Sequence, residues 1–208
     1  MDGPTVAWVR EQARTLNAAV IGSVQLRDGE GVYNRLLFAT PDGDLQYYDK
    51  RHLFRYGGEH ERYAAGRDRL SVEWKGWRIN PQVCYDLRFP VFCRNRYNVE
   101  RPQQLDFDLQ IFVANWPSAR AYAWKTLLRA RAIENLCFVA AVTASVSMAT
   151  SCTTQATARC WIPRPAAGGD PRTRTGGHHH HLGRGAGRTP RAFPAMLDAD
   201  AFHLDEQA

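Results

Sequence analysis

The sequence predicts an α/β domain built in layers. Two observations carry this expectation: short apolar runs of strand length alternate with segments of helical periodicity, and turns rich in glycine or proline separate them at close intervals. A third bounds the size, because 208 residues at 44% hydrophobic content suit one core of ordinary dimensions. No apolar run is long enough to span a bilayer. The opening MDGPTVAWVREQ lacks the hydrophobic region and cleavage site of a signal peptide. Five cysteines without a CxxC pair make no disulfide framework, so reduced thiols and a cytoplasmic location are expected.

Residues 4–16 place Val6, Val9, Ala13 and Leu16 at helical spacing behind a proline suited to a first turn. Residues 18–26 read as a buried strand and 35–40 as a second. The turn Pro41-Asp42-Gly43 joins the latter to a third strand, 45–48, as a hairpin. That hairpin delivers Asp49 and Lys50 to a strand end, where a lysine is most simply solvated. The loop that follows carries Glu59, His60 and Glu61 between glycines; such a loop is surface by composition, and also the kind of segment on which sites are built.

Residues 70–74 and 77–84 form two strands around the Lys75-Gly76 turn. The second, in RINPQVCYDLRFP, ends at a single cysteine, Cys84, followed by the turn-prone Tyr85-Asp86 and by Arg88. A thiol on the lip of a strand is placed to act as a nucleophile, although most free cysteines are small buried hydrophobes. Residues 108–114 are a further buried strand. Pro117 opens a helix through Asn135, with Trp124, Leu127, Leu128 and Ile133 on its apolar face and Arg129 and Glu134 toward water. Residues 137–142 close the pattern as a strand whose cysteine belongs to the core.

After Val142 the text changes. Residues 143–191 hold seven arginines, no lysine and one aspartate, which accounts for the whole formal charge of +6; the remainder of the chain is neutral. The segment has little apolar periodicity, is crowded with Gly, Pro, Arg and Thr, contains the tract His178 to His181, and is expected to be disordered. Ordinary protein-like text returns with AFPAMLDADAFHL from Ala192.

Three blocks carry a resemblance: YYDKRHLFRYGGEHERYAAG around Lys50, WRINPQVCYDLRFPVFCRN around Cys84, and VANWPSARAYAWKTLLRARAIEN. Lying in order and at strand ends, they resemble the nitrilase, or carbon-nitrogen hydrolase, superfamily, and most closely its bacterial omega-amidase branch. The resemblance covers residues 4–142 and 192–204 of a single domain and implies a four-layer α-β-β-α sandwich. It further implies hydrolysis of a small amide such as 2-oxoglutaramate, with Cys84 as nucleophile, Lys50 beside the developing oxyanion and the backbone N–H of Tyr85 as second donor. Glu59 matches a supporting glutamate in an ExxxY pattern with Tyr63. Arg88, Asn115 and Trp116 match the substrate pocket, with a structural ion pair as the other role open to Arg88. No metal or organic cofactor is implied, and a homodimer is expected.

The chain departs from the family pattern twice. The family's general-base glutamate follows an early strand in an LPE-type motif, and no such motif precedes Lys50; Glu11 on the first helix and Glu30 in a turn do not fit. The expectation is a chain truncated at its N-terminus and impaired or inactive in catalysis. The second departure is residues 143–191. Family-like text HYAGDSAVLDPAA, given suitable codons and read one nucleotide late, yields TTQATARCWIPRP, the text from Thr153 to Pro165, so a shifted reading frame is expected there. Two other readings are an inactive remnant of such an enzyme and a basic protein using its histidines for metal or nucleic acid, the latter on composition alone.

Overall fold

The structure, a computed structural model, describes residues 1–97, 105–145 and 155–161. Helix α1 (Pro4–Leu16) opens on Pro4 and ends where Asn17 turns left-handed and returns its N–H to the Arg14 carbonyl. Val6, Val9 and Ala13 are buried as their spacing predicts. Leu16 is not: it is 62% exposed, because it is the last helical residue and the chain turns away immediately after it.

Strands β1 (Val20–Asp28), β2 (Gly31–Ala39) and β3 (Leu45–Asp49) form an antiparallel sheet in that order. The expected β2–β3 hairpin is present, and a second tight hairpin joins β1 to β2 around Gly29, whose φ of 58° suits glycine. Alternation along β2 serves two cores: Leu37 and Ala39 pack with Val6, Val9 and Ala13 of α1, whereas Leu36 and Phe38 face the opposite side with Tyr48. Arg35 locks this sheet, meeting Asp49 through Nε at 2.6 Å and Nη2 at 2.8 Å, and Asp28 through Nη1 at 2.8 Å.

After a one-turn helix, α2 (Glu59–Arg62), the second sheet comprises β4 (Val72–Trp74), β5 (Trp77–Val83), β6 (Leu109–Asn115), β7 (Phe138–Ser145) and β8 (Gln155–Trp161), in chain order. The central strands β5, β6 and β7 are parallel and the outer pairs antiparallel. One face sets Ile79, Val83, Leu109 and Val113 against Leu36, Phe38 and Tyr48 of the first sheet. The other sets Phe112, Val139 and Ala141 against Trp124, Leu128 and Ala132 of helix α3 (Ala121–Glu134). The layers therefore run α1, sheet, sheet, α3, the four-layer sandwich that the resemblance implies.

Two details differ from expectation. Ile133 is 69% exposed; the inward face of α3 is taken by Trp124, Leu128, Arg131 and Ala132, and residue 133 lies about 100° round from its neighbour. Arg131 points inward instead, donating to the Leu87 carbonyl at 2.8 Å and to Glu134 at 2.6 Å. Residues 155–161, inside the segment expected to be disordered, form β8 and pair antiparallel with β7, Trp161 opposite Val139. Thr157 and Trp161 are strand-favouring residue types, and residues 143–145 simply prolong β7. The rest of 143–191, with His178 to His181, and the family-like text of 192–204 lie outside the described residues. No described helix is long and apolar enough to cross a membrane.

Candidate active site

Three strand ends converge on one cavity. Val83 of β5 lies opposite Val113 of β6 in a parallel pair, so the residues that follow each strand emerge side by side, as in other sheets that place ligands beyond their carboxyl ends. The end of β3, from the other sheet, supplies Lys50. The cavity, of about 540 Å³, is lined by Lys50, Glu59, Cys84, Tyr85, Arg88, Asn115 and Trp116, so all seven expected residues come together, along with Phe54, Tyr56 and Arg120.

Cys84 is the first residue beyond β5 and stands at φ 47°, a left-handed conformation unfavourable for any residue with a Cβ. The tight turn of residues Cys84–Arg88 is held from beneath by Asp86, which is fully buried. Its carboxylate accepts the Val83 N–H at 3.0 Å, the Tyr48 hydroxyl at 2.9 Å and the His52 N–H at 3.1 Å, and lies 2.8 Å from His52 Nδ1. The His52 ring stacks on Phe89 at 3.7 Å. Asp86 thus ties the cysteine turn to the segment that follows Lys50.

Lys50 is only 1% exposed, so the solvated reading of a strand-end lysine does not apply. Its ammonium donates to Glu59 Oε2 at 2.6 Å, and the same oxygen accepts the Phe54 N–H at 2.7 Å. The Lys50 backbone is fixed on both sides, its N–H donating to Asn34 at 2.9 Å and its carbonyl accepting from Gly66 at 3.0 Å. A side chain at Gly66 would overlap the Asp49 carbonyl, which explains a glycine at that position. A buried ammonium of this kind is tolerated only with a close carboxylate partner.

The Cys84 thiol lies 3.9 Å from the Asn115 carbonyl. Burial pushes it up from its ordinary value, while the Lys50 ammonium and the Asn115 contact pull it down, and Glu59 and Asp86 push it up again. The net direction is upward, so a proton acceptor is needed to produce the thiolate near neutrality. Among the described lining residues the carboxylate is Glu59, already engaged by Lys50. Glu11 sits on the exposed face of α1 beside Arg14 and Thr15, and Glu30 is exposed in the β1–β2 turn; neither lines the cavity.

Arg88 is exposed at the cavity wall with its guanidinium 5.3 Å from the Trp116 ring, and it has no carboxylate partner among the described residues. Trp116 is buried. Its backbone N–H donates to Thr143 Oγ1 and its indole N–H to the Arg120 carbonyl, both at 2.9 Å, and its ring lies 5.1 Å from Trp124. Tyr85 presents its ring edge-on to Phe54 and Phe89. Sequence reasoning does not single out Asp86, Tyr48, His52 or Arg120: a polar residue in a turn and an arginine ahead of a helix carry no local mark of burial or of what they face. Among the described residues no group of three or more His, Cys, Asp or Glu is placed to hold a metal.

The sequence model of the family described as carbon-nitrogen hydrolase matches residues 1–164. The chain is 54% identical over 135 residues to the omega-amidase YafV of Yersinia enterocolitica, covering 65% of this chain and 50% of that one. It is 43% identical over 204 residues to the omega-amidase YafV of Escherichia coli K12, covering 96% and 75% respectively. The 2-oxoglutaramate amidase of Bacillus subtilis is 36% identical over 137 residues, covering 65% of this chain and 51% of that one. The matches thus span from about half to three quarters of the relatives' length. Among solved structures, XC1258 of Xanthomonas campestris, a CN-hydrolase superfamily protein with an arsenic adduct in its active site, superimposes with a TM-score of 0.79 at 61% identity, covering 99% of this chain and 78% of that one.

Proposed function

The chain belongs to the carbon-nitrogen hydrolase family, and from that premise we propose that it hydrolyses the side-chain amide of a small 2-oxo acid amide such as 2-oxoglutaramate. In this reading the Cys84 thiolate attacks the amide carbonyl, the amide nitrogen takes up the proton that the thiol gave up and leaves as ammonia, and water releases the acid from the resulting thioester. Lys50 stabilises the oxyanion with a fixed charge held out of water, and the Tyr85 N–H is the second donor. Glu59 holds the Lys50 ammonium in place, 2.6 Å away, while Arg88, Asn115 and Trp116 shape the pocket.

The observation that carries the reading is the meeting of Cys84, Lys50 and Glu59 in one cavity from three separate stretches of chain. The names of the Yersinia, Escherichia and Bacillus relatives support the substrate. A homodimer belongs to the same reading and rests on the family resemblance, whereas a cytoplasmic location rests on the cysteine pattern of the sequence.

The test is ammonia release from 2-oxoglutaramate by the purified chain beside its Cys84→Ala variant. Release above the uncatalysed rate that disappears with Cys84→Ala supports the proposal. Release that survives the substitution contradicts it, and no release at all favours the inactive remnant of such an enzyme instead.

A further inference from the structure

The wall of the cavity carries more positive charge than the chemistry at Cys84 requires. Its lining includes the cations Lys50, Arg88 and Arg120 against the carboxylate of Glu59, and that carboxylate is engaged by Lys50 at 2.6 Å. Lys50 acts at the thiol, whose ionisation it favours. Arg88 and Arg120 have no carboxylate partner among the described residues. Each lies over an aromatic ring instead, Arg88 5.3 Å from the centre of Trp116 and Arg120 5.4 Å from that of Phe54.

A guanidinium over a ring is attracted to the ring's face and loses part of its freedom there, yet its N–H groups still point outward in a planar fork. A carboxylate is the planar, bidentate group that matches this fork. The two supports are also joined to each other, since the indole N–H of Trp116 donates to the Arg120 carbonyl at 2.9 Å. Two arginines restrained in this way beside a cavity differ from solvated surface arginines, which have neither the rings nor the concave wall.

We propose that Arg88 and Arg120 form a clamp for the carboxylate at the far end of the substrate, making the site selective for amides that carry a negative charge away from the scissile bond. The inference rests on the amidase reading and adds to it a specificity-determining residue, Arg120, and the feature of the substrate that it recognises. A neutral amide of the same length forgoes the clamp, and a cationic one is repelled by it.

A pair of thiol reagents tests this without needing turnover. In 5-bromo-4-oxopentanoate the carbon attacked by sulfur and the carboxylate are separated by the same chain length as in a five-carbon omega-amide of a 2-oxo acid; the methyl ester keeps that chain and replaces the charge with a methyl group. The thiolate displaces bromide in both, and peptide mass spectrometry identifies Cys84 as the labelled residue. The expected preference for the anion over the ester is about 10- to 100-fold, the worth of hydrogen bonds to a charged group. It should shrink with added salt, fall in Arg120→Gln and Arg88→Gln, and approach unity in the double variant. Equal rates with the two reagents, a preference that survives the double substitution, or no labelling of Cys84 overturns the clamp. Failure of the amidase reading is separate: a charge preference without ammonia release removes the amide and leaves the clamp, whereas release with no charge preference does the reverse.

Discussion

The Tyr48 hydroxyl donates to Asp86 at 2.9 Å across 38 positions of sequence, joining the strand that leads into Lys50 to the turn that begins at Cys84. The same oxygen accepts the Arg51 N–H at 3.0 Å, so one phenol serves both sides of the site. Burial and the adjacent Asp86 carboxylate hold the phenol well above its ordinary value, and it stays protonated and donating. Tyr48→Phe leaves a buried carboxylate oxygen and a backbone N–H short of a partner. The expected cost is about 1–3 kcal/mol of stability, read from urea unfolding, with slower alkylation of Cys84 as the turn loosens. Unchanged stability and alkylation contradict a joining role.

Lys50 and Glu59 act on the thiol with opposite sign. Removing the Lys50 ammonium takes away the main attraction for the thiolate, so the iodoacetamide rate profile of Cys84 in Lys50→Met should move to higher pH. Glu59→Gln removes a repulsion, and the profile should move to lower pH. If Lys50 also holds the oxyanion, Lys50→Met should lower amide turnover by about 100- to 1,000-fold. Profiles that shift the same way in both variants contradict the assignment.

Gly66 tests how much the Lys50 backbone matters. Its amide holds the Lys50 carbonyl at 3.0 Å, and a Cβ there meets the Asp49 carbonyl, so Gly66→Ala forces the two segments apart. A loss of about 1–3 kcal/mol is expected, together with weaker turnover although residue 66 does not line the cavity. Thermal unfolding and ammonia release measure the two effects.

What the sequence makes legible follows physical lines. Strands flanked by turns are readable because alternation and turn residues are local signals, as the hairpin around Pro41-Asp42-Gly43 illustrates; the β1–β2 hairpin and the register of Arg35 with Asp49 are not. Cys84, Lys50 and Glu59 stand out as candidates only through the family resemblance of three blocks taken together, not from residue type alone. Asp86 is not readable, because three of its four polar contacts come from Tyr48 and His52, which are brought near only by the stacking of two sheets. Spacing places Leu16 and Ile133 inward, yet both are exposed, because periodicity gives neither where a helix ends nor how wide its buried face is. β8 was hidden by a composition that otherwise suggests disorder.

Cys93 makes alkaline stability a readout of core integrity. It is buried beneath the site, with its Sγ 3.0 Å from Gln82 Oε1 and 3.2 Å from the Asp86 carbonyl, and burial pushes its thiol up to about 12. A group raised on folding favours the native state fully below its unfolded value and loses that contribution as pH rises toward the folded one. Stability should therefore decline from about pH 9 upward, and Cys137, raised by burial as well, adds to the slope. Urea midpoints between pH 8 and pH 11 should fall less steeply in Cys93→Ala than in the parent chain. Parallel slopes contradict the assignment.

The central claim is that Cys84 forms a covalent bond to the acyl group of a small amide. The direct measurement is rapid acid quenching of the chain mixed with 2-oxoglutaramate, followed by intact and peptide mass spectrometry. An adduct equal to the acyl group, carried on the peptide containing Cys84, released by hydroxylamine and absent from Cys84→Ala, is the predicted result. Ammonia release with no adduct at any quench time, or an adduct that persists in Cys84→Ala, would contradict it.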